Sequence, residues 1–445
     1  MAARTRQVGP PEPWGVGPGI SGPQDPPTSR YAPAVTRTTD PTPPVQAHAL
    51  AARFGTPLYV FDGEFLAAEA RAFKAAWGDN TTVAYSMKAN PLLGITARLH
   101  DAGCWLEAAS GFEYRSARRV GVPGREIVFN GPMKSAEDLR RAMAEGATIV
   151  LDGSEQIRAA AQLATHASPA ARFGLRIAPP DRGRADRFGT DGRMAPAAAR
   201  MLERAGLRLS GLHTHLGAYQ LGPLPATGPP IHGVSVQYPV PVDRFSGAAA
   251  HLREIAERLP AIEWIDLGGG WPRAAEAAPH IAAVREALAG SQRQIIVEPG
   301  RALVRDAGWL LTRVIARRGS GAVVVDAGIT QAPCVLWKRA PISLPEERPG
   351  LRRPTALYGP LCLQHDVLAR EVLLPPLRVG DLVWVGQTGA YGMAQASPFI
   401  HLRPGAVMVE NGRAVILRER ETDDEALGAQ AEPLLVGTEG RMVHA

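Results

Sequence analysis

Cysteine is scarce in this chain: three residues among 445, Cys104, Cys334 and Cys362, far apart and odd in number. That excludes a disulfide framework and offers no zinc-type spacing, so a reducing cytoplasm is the expected compartment. Aromatic residues make up only 6% and do not interleave with basic runs. The net charge of +6 comes from arginines spread along the chain, which argues against a nucleic-acid partner. No apolar run approaches the roughly 20 residues that a membrane span needs, and the first residues lack the apolar stretch of a signal peptide. A soluble protein without a membrane partner is expected. What is plentiful is hydrophobic content, 45%, enough over this length for one large domain and a second.

Residues 1–48 are rich in Pro and Gly without apolar periodicity and read as a disordered tail. "TPLYVFD" (56–62) then reads as a strand, followed by the helix "GEFLAAEARAFKAAW". From Thr81 one pattern recurs: a short apolar strand, a polar tip, then a helix rich in Ala, Arg and Leu with apolar residues at i, i+3, i+4. Strands are expected at 81–86, 104–109, 126–130, 147–152, 172–177, 207–213, 262–267 and 294–298. Strand alternating with helix implies parallel pairing. An open sheet would alternate likewise, and it is the count of eight that favours a closed (β/α)8 TIM barrel. After Arg301 the pattern changes to β-rich runs split by Gly and Pro turns, which predicts an all-β domain. The expected organisation is a barrel over 64–308, a β-domain built from 49–63 and 309–422, and a flexible tail over 423–445. The stretch 219–241 reads as a long loop over the barrel mouth.

Polar and glycine residues gather at the C-terminal tips of the expected strands, the end where barrel enzymes carry their active sites. They include Lys88, Glu107 to Ser110, Asn130, Asp152, Arg176, His213 and His215, Gly268 to Gly270, and Glu298 with Arg301. Lys88 stands in "TTVAYSMKANP", a cation at the end of an apolar strand. Alone, such a lysine reads as a snorkelling surface residue; the alternative is an amine held in a pocket to attack a carbonyl. In "DLGGGWP" three glycines after a strand let the backbone approach a phosphate closely, although a tight turn explains them equally. "GLHTHLGAYQ" puts two imidazoles on one face of a strand. That pair raises zinc, but no third ligand stands at suitable local spacing, and no metal is expected.

"AYSMKANP", "GLHTHLGA", "DLGGGWP", "EPGRALV", "GPLCLQHDVL" and "GAYGMAQ" occur in the order seen in fold-type III pyridoxal-phosphate decarboxylases. The chain resembles that family, which includes diaminopimelate and ornithine decarboxylases, over roughly residues 55–420. The resemblance implies an alanine-racemase-like barrel with a C-terminal all-β domain, and pyridoxal 5'-phosphate as cofactor. It makes Lys88 the lysine of the internal aldimine and His215 the residue that stacks on the pyridine ring. Gly268, Gly269, Gly270, Gly300, Arg301 and Tyr391 would bind the cofactor, chiefly its phosphate, and Glu298 would pair with the pyridine nitrogen. Cys362 would protonate the quinonoid in a partner subunit's site, with Asp366 beside it, so the resemblance also implies a homodimer with shared active sites. Loss of carbon dioxide leaves a carbanion that this cofactor stabilises as an electron sink. A lysine desolvated beside a cationic cofactor is expected to have a lowered pKa.

Departures from the family pattern concern the substrate. Where diaminopimelate decarboxylases carry a glutamate after the cysteine, this chain reads "CLQHD", with Leu363, Gln364 and His365. Where they carry an arginine and a tyrosine after a DAG strand, it reads "DAGITQAPCVLWKRAP", placing Cys334 and Trp337 near those positions with Lys338 and Arg339 following. Ala218 replaces a phosphate-binding serine. Candidate substrate contacts are therefore Trp337, Arg339, Gln364, Asp366 and Tyr391. The expected activity is decarboxylation of an amino acid, free, conjugated or carrier-protein-bound, other than meso-diaminopimelate, in a natural-product or siderophore pathway. The rival readings are an amino-acid racemase, which Glu298 in place of an arginine disfavours, and a non-catalytic regulatory homologue.

Overall fold

Eight short parallel strands close on themselves in the computed structural model: Thr81–Ser86, Trp105–Ala108, Ile127–Phe129, Thr148–Leu151, Arg172–Arg176, Leu209–His213, Trp264–Asp266 and Gln294–Val297. The last pairs with the first, Ile295 opposite Thr81 and Val297 opposite Val83, which completes the barrel. The structure describes residues 43, 46–180, 187–217, 219–221, 234–236, 238–319, 321–428, 435–436 and 442–443. Most of the expected N-terminal tail, Ala218, much of the loop expected over 219–241 and much of the C-terminal tail therefore lie outside the described residues. Within 219–241, Tyr219–Leu221 and Val234–Val236 pair antiparallel.

Alternation along the strands sorts side chains between two cores. Ala84, Val128, Val150, Trp264 and Ile296 form one small buried cluster, while the residues between them join the large core that also holds the outer helices. Trp264 fills the barrel because two neighbouring strands carry glycines beneath it. A Cβ on Gly211 would lie 2.0 Å from the indole and one on Gly174 2.2 Å from it. The indole N–H donates to Ser210 Oγ at 3.1 Å, so the buried polar atom is satisfied.

The second sheet is built around the early strand Leu58–Asp62, which lies antiparallel to Gly308–Arg318 and parallel to Gly405–Glu410. Arg413–Arg418 extends one side; Ala322–Val325, Arg353–Tyr358 and Val367–Leu374 extend the other, and Leu382–Val385 also pairs with Gly308–Arg318. The helix Ala47–Phe54 begins inside the stretch assigned to the tail. Its Ala47, Leu50 and Ala51 bury against Trp309, Leu311, Trp384 and Val407, a tertiary contact that Pro-rich surroundings hide from local pattern reading. Near the other end, Thr422 and Glu425 form a reciprocal capping box that starts the helix Asp423–Leu427, within the tail expected to be flexible. Among the described residues, no helix is long and apolar enough to cross a membrane.

Two crossings of the chain bring the domains to the barrel mouth. Asp62 caps the first outer helix, Gly63–Trp77, by accepting from the Phe65 N–H at 2.9 Å. After the last barrel strand, the turn at Gly300 leads through Arg301–Val304 directly into Gly308–Arg318.

Candidate active site

The first barrel strand ends at Ser86, and a single 3-10 turn, Met87–Ala89, follows it. Asn90 returns to extended backbone, as a residue before proline prefers. This turn is where the β-domain docks: the Tyr391 N–H donates to the Ala89 carbonyl at 2.8 Å, and Asn90 Nδ2 donates to the Gly389 carbonyl at 2.9 Å. Tyr391 adopts φ of 58°, a left-handed conformation costly for a non-glycine residue, to complete this turn beside the lysine. Lys88 Nζ lies 2.6 Å from Ser86 Oγ and 2.7 Å from Glu107 Oε2. The lysine side chain is 38% exposed at the mouth, whereas Glu107 is 1% exposed. Burial opposes the charge on Lys88, but Glu107 and Glu298 outweigh it and hold the ammonium above the ordinary lysine range. The lowered value expected from desolvation is thus reversed by two carboxylates, one on the second barrel strand and one just after the last.

Glu298 stands just beyond the last strand, 1% exposed, and accepts a hydrogen bond from Asn130 Nδ2. His213 Nε2 lies 3.6 Å from its other oxygen. Burial pushes the Glu298 carboxyl upward, but His213, Lys88 and His215 prevail and hold it well below the usual range. Asp266, also fully buried, is pushed the opposite way by burial and by Glu298. Burial and Glu298 thus favour the protonated form of Asp266, whereas His213 and Lys88 favour the charged form of Glu298. His213, Asp266 and Glu298 can bring ligand atoms within 4.8 Å of one another. The strand ends bring together three groups that local spacing does not reveal. Hydrogen bonds from the Gly268 N–H to Asp266 at 2.8 Å and from Asn130 to Glu298 also fit a proton-sharing network at this position.

The strand Leu209–His213 stops before His215, so the loop and not strand alternation aims the second imidazole. His215 Nδ1 accepts from the Gly269 N–H at 2.9 Å. Burial, then Lys88 and Arg176, hold its pKa well below the usual value, giving a neutral ring. The glycine run is dictated by this contact. A Cβ on Gly268 would lie 2.6 Å from His215 Nδ1, and one on Gly269 would lie 2.9 Å from the Glu298 carbonyl. Two of the three amides are already committed, Gly268 to Asp266 and Gly269 to His215. Gly300 lets the opposite turn approach Ala89 and Ser86, where a Cβ would sit 3.0 Å from the Ala89 methyl.

Arg301 is held between two aromatic rings, 4.4 Å from the centroid of Tyr238 and 5.3 Å from that of Tyr391. It lines a cavity of about 240 Å³ with Arg305, Cys334, Trp337, Lys338, Arg339 and Gln387. The Trp337 ring meets Tyr391 edge-on at 6.5 Å. Lys338 Nζ donates to the Gln387 carbonyl at 2.5 Å, and burial with Arg305 and Arg301 nearby lowers its pKa to about 8. Arg305 is neutralised by Asp306 through paired contacts of 2.7 and 2.8 Å.

The "CLQHD" loop behaves differently. Cys362 and Gln364 are exposed and do not line that cavity. Asp366 is buried, with one oxygen accepting from the Leu361 N–H of its own loop and the other from the Ile329 N–H of an earlier one, at 2.8 Å each. Within one chain, its task is to hold these two backbone segments together. Sequence reading gave no specific role to Glu107, Asp266, Tyr238 or Arg305. Glu107 stood at a strand tip and Asp266 immediately before the glycine run, signals that mark position without revealing partners.

The arrangement combines an amine, a buried carboxylate, a neutral imidazole and an arginine around one barrel mouth. These groups match an aldehyde, a protonated ring nitrogen, an aromatic face and a phosphate, so the residues present fit pyridoxal phosphate.

Comparison with known proteins agrees with that geometry. Residues 64–221 match the family model described as pyridoxal-dependent decarboxylase, pyridoxal binding domain. The chain is 31% identical over 394 residues to a diaminopimelate decarboxylase of Deinococcus radiodurans, covering 86% of this chain and 98% of that protein. It is 27% identical to the L-glutamyl-[BtrI acyl-carrier protein] decarboxylase of Niallia circulans, covering 86% and 96%. The crystal structure of Helicobacter pylori diaminopimelate decarboxylase complexed with L-lysine superposes with a TM-score of 0.75 at 22% identity, over 86% of this chain and 98% of that one, and shares the fold.

Proposed function

Because the chain belongs to the fold-type III pyridoxal-phosphate-dependent decarboxylases, we propose that it decarboxylates an amino acid or amino-acid conjugate with an anionic distal end, other than meso-diaminopimelate. The enzyme is a pyridoxal-phosphate-dependent carboxy-lyase. When bound, the cofactor supplies an electron sink for the bond to the departing carboxylate. Lys88 would hold its aldehyde carbon, His215 would stack on its ring, and Gly268, Gly269, Gly270, Gly300, Arg301 and Tyr391 would surround its phosphate. Glu298, charged and buried, would keep the ring nitrogen protonated, which distinguishes decarboxylation from the racemase reading.

The observation that carries the substrate reading is the cavity beside Arg301. Among the described residues lining it, Lys338 and Arg339 are cations beyond Arg301, assigned to the phosphate, and Arg305, paired with Asp306, and none of the lining residues is a carboxylate. A distal ammonium, such as diaminopimelate bears, would meet like charges there; a distal carboxylate or an acidic conjugate would be matched. The relative named for a carrier-protein-bound glutamyl group supports including conjugates in the substrate class. Exposure of Cys362 and Gln364 supports a homodimer in which this loop enters a second copy's site and the Cys362 thiol gives a proton to the reacting carbon. A natural-product or siderophore pathway in the cytoplasm is the setting we infer from the altered distal contacts. Carbon dioxide release across a panel of acidic-, neutral- and amine-tailed amino acids tests the reading; meso-diaminopimelate as best substrate would refute it.

A further inference from the structure

Glu107 is the one buried carboxylate in hydrogen-bond contact with Lys88 among the described residues, and the decarboxylase reading gives it no task. The barrel ladder places it there. The strands Thr81–Ser86 and Trp105–Ala108 pair in parallel with Ser86 directly opposite Glu107. Lys88 Nζ lies 2.6 Å from Ser86 Oγ and 2.7 Å from Glu107 Oε2, and the Ser86 hydroxyl donates to that same oxygen. Ammonium, hydroxyl and carboxylate oxygen make a closed triangle.

We propose that Ser86 and Glu107 form a berth that holds Lys88 as an ammonium ion whenever it is not bonded to the cofactor aldehyde, so that an incoming amine displaces the lysine and the lysine does not displace it back. The inference rests on Lys88 as the cofactor-bearing lysine. The exchange is balanced. Between protonated imines, the incoming ammonium nitrogen gives up two protons and takes the double bond to the aldehyde carbon. The Lys88 nitrogen loses that double bond and takes up two protons, which leaves it an ammonium ion. One carbon–nitrogen double bond forms for each that breaks, charge is conserved, and the berth stabilises the side on which Lys88 is an ammonium ion.

Several charged or titratable groups face Lys88. Glu107 comes from the next strand, Glu298 from the last, His215 from the loop after the sixth and Tyr391 from the β-domain. Glu298 is occupied by Asn130 and lies near His213, and His215 is neutral, which leaves Glu107 as the contact partner. Glu113, behind Glu107, accepts from the Ala109 N–H at 2.7 Å; burial and Glu107 raise it to about 7. A desolvated lysine without such a partner would have a lowered pKa. That Lys88 moves the other way agrees with the triangle.

E107Q keeps the shape and removes the charge; E107D keeps the charge. In full-length protein stripped of cofactor, capture of pyridoxal phosphate is followed by absorbance across a pH series. The midpoint for E107Q is expected to fall by about 1–3 pH units, while that for E107D stays near wild type. In the loaded enzymes, methylamine competes with Lys88 for the cofactor. E107Q should need about tenfold more methylamine, or greater, for half release, since one unit of lysine pKa is tenfold. An unchanged midpoint and unchanged methylamine demand in a folded E107Q would overturn the berth. If E107Q does not fold, NMR titration of the Lys88 ε-carbon in cofactor-stripped wild type decides; a midpoint at or below that of free lysine overturns it. If wild type forms no borohydride-stable adduct at Lys88, the reading of Lys88 itself fails and the berth falls with it.

Discussion

Replacing Lys338 with methionine removes one cation from the wall of the cavity beside Arg301 while keeping a similar volume. Lys338 donates to the Gln387 carbonyl and forms no ion pair with a carboxylate among the described residues. Its ammonium, near Asp306 but not paired with it, lines the cavity where a substrate anion would bind. A hydrogen bond to a charged group contributes about 1.5–3 kcal/mol net, and partial solvent access places this one at the low end. That corresponds to about a tenfold rise in KM for an acidic-tailed amino acid. The matching neutral-tailed amino acid should change less than about twofold. The pH dependence has a definite sign. With a pKa of about 8, Lys338 is charged below that value and neutral above it. Preference for the acidic tail should therefore decline above pH 8 in wild type and be flat there in Lys338→Met. Carbon dioxide release measures KM, and absorbance changes on titration measure binding where turnover is slow. A parallel titration with pyridoxal phosphate separates two anion sources: a large loss of cofactor affinity with unchanged acid preference would show that this wall serves the phosphate, and would refute the substrate reasoning.

Glu298→Gln should retain cofactor near wild-type affinity yet lose about 10²–10³-fold in kcat, since the fixed charge opposite the ring nitrogen is gone; single-turnover kinetics check this. Gly268→Ala forces a side chain onto φ of 62° and to within 2.6 Å of His215 Nδ1. Left-handed strain alone costs about 1–2 kcal/mol, so cofactor dissociation should rise at least about fivefold, read by equilibrium absorbance. Asp366→Ala strips the acceptor from two buried backbone N–H groups, a loss of about 1–3 kcal/mol for each. Its melting temperature should fall; a changed KM with an unchanged melting temperature would make Asp366 a substrate contact.

Where local pattern and tertiary structure agree, the chain was readable. The eight barrel strands fall within a residue or two of their expected ranges, because each is a short apolar run ended by polar tips and separated by amphipathic helix. The pairing of Leu58–Asp62 with strands some 250 and 350 residues later was accessible only through family resemblance, since no local signal encodes partners. Lys88, Glu298 and Arg301 were identified by motif, but their electrostatic state was not. Whether a lysine is neutral or charged depends on Glu107 from the strand on one side and Glu298 just after the strand on the other. The glycine run was read as a phosphate cradle or a tight turn, and no local signal told that two of its amides also serve Asp266 and His215. Tyr238 and Arg305 escaped notice because the cation stack they share with Arg301 joins residues far apart in sequence.

The central claim is that Lys88 carries pyridoxal phosphate in a decarboxylating site. Borohydride reduction of the loaded enzyme, followed by peptide mass mapping, tests it most directly when the same preparation is assayed for carbon dioxide release. The account predicts a pyridoxyl group on Lys88 alone, and release that disappears with Lys88→Ala. A label on another lysine, or undiminished release from Lys88→Ala, would contradict it.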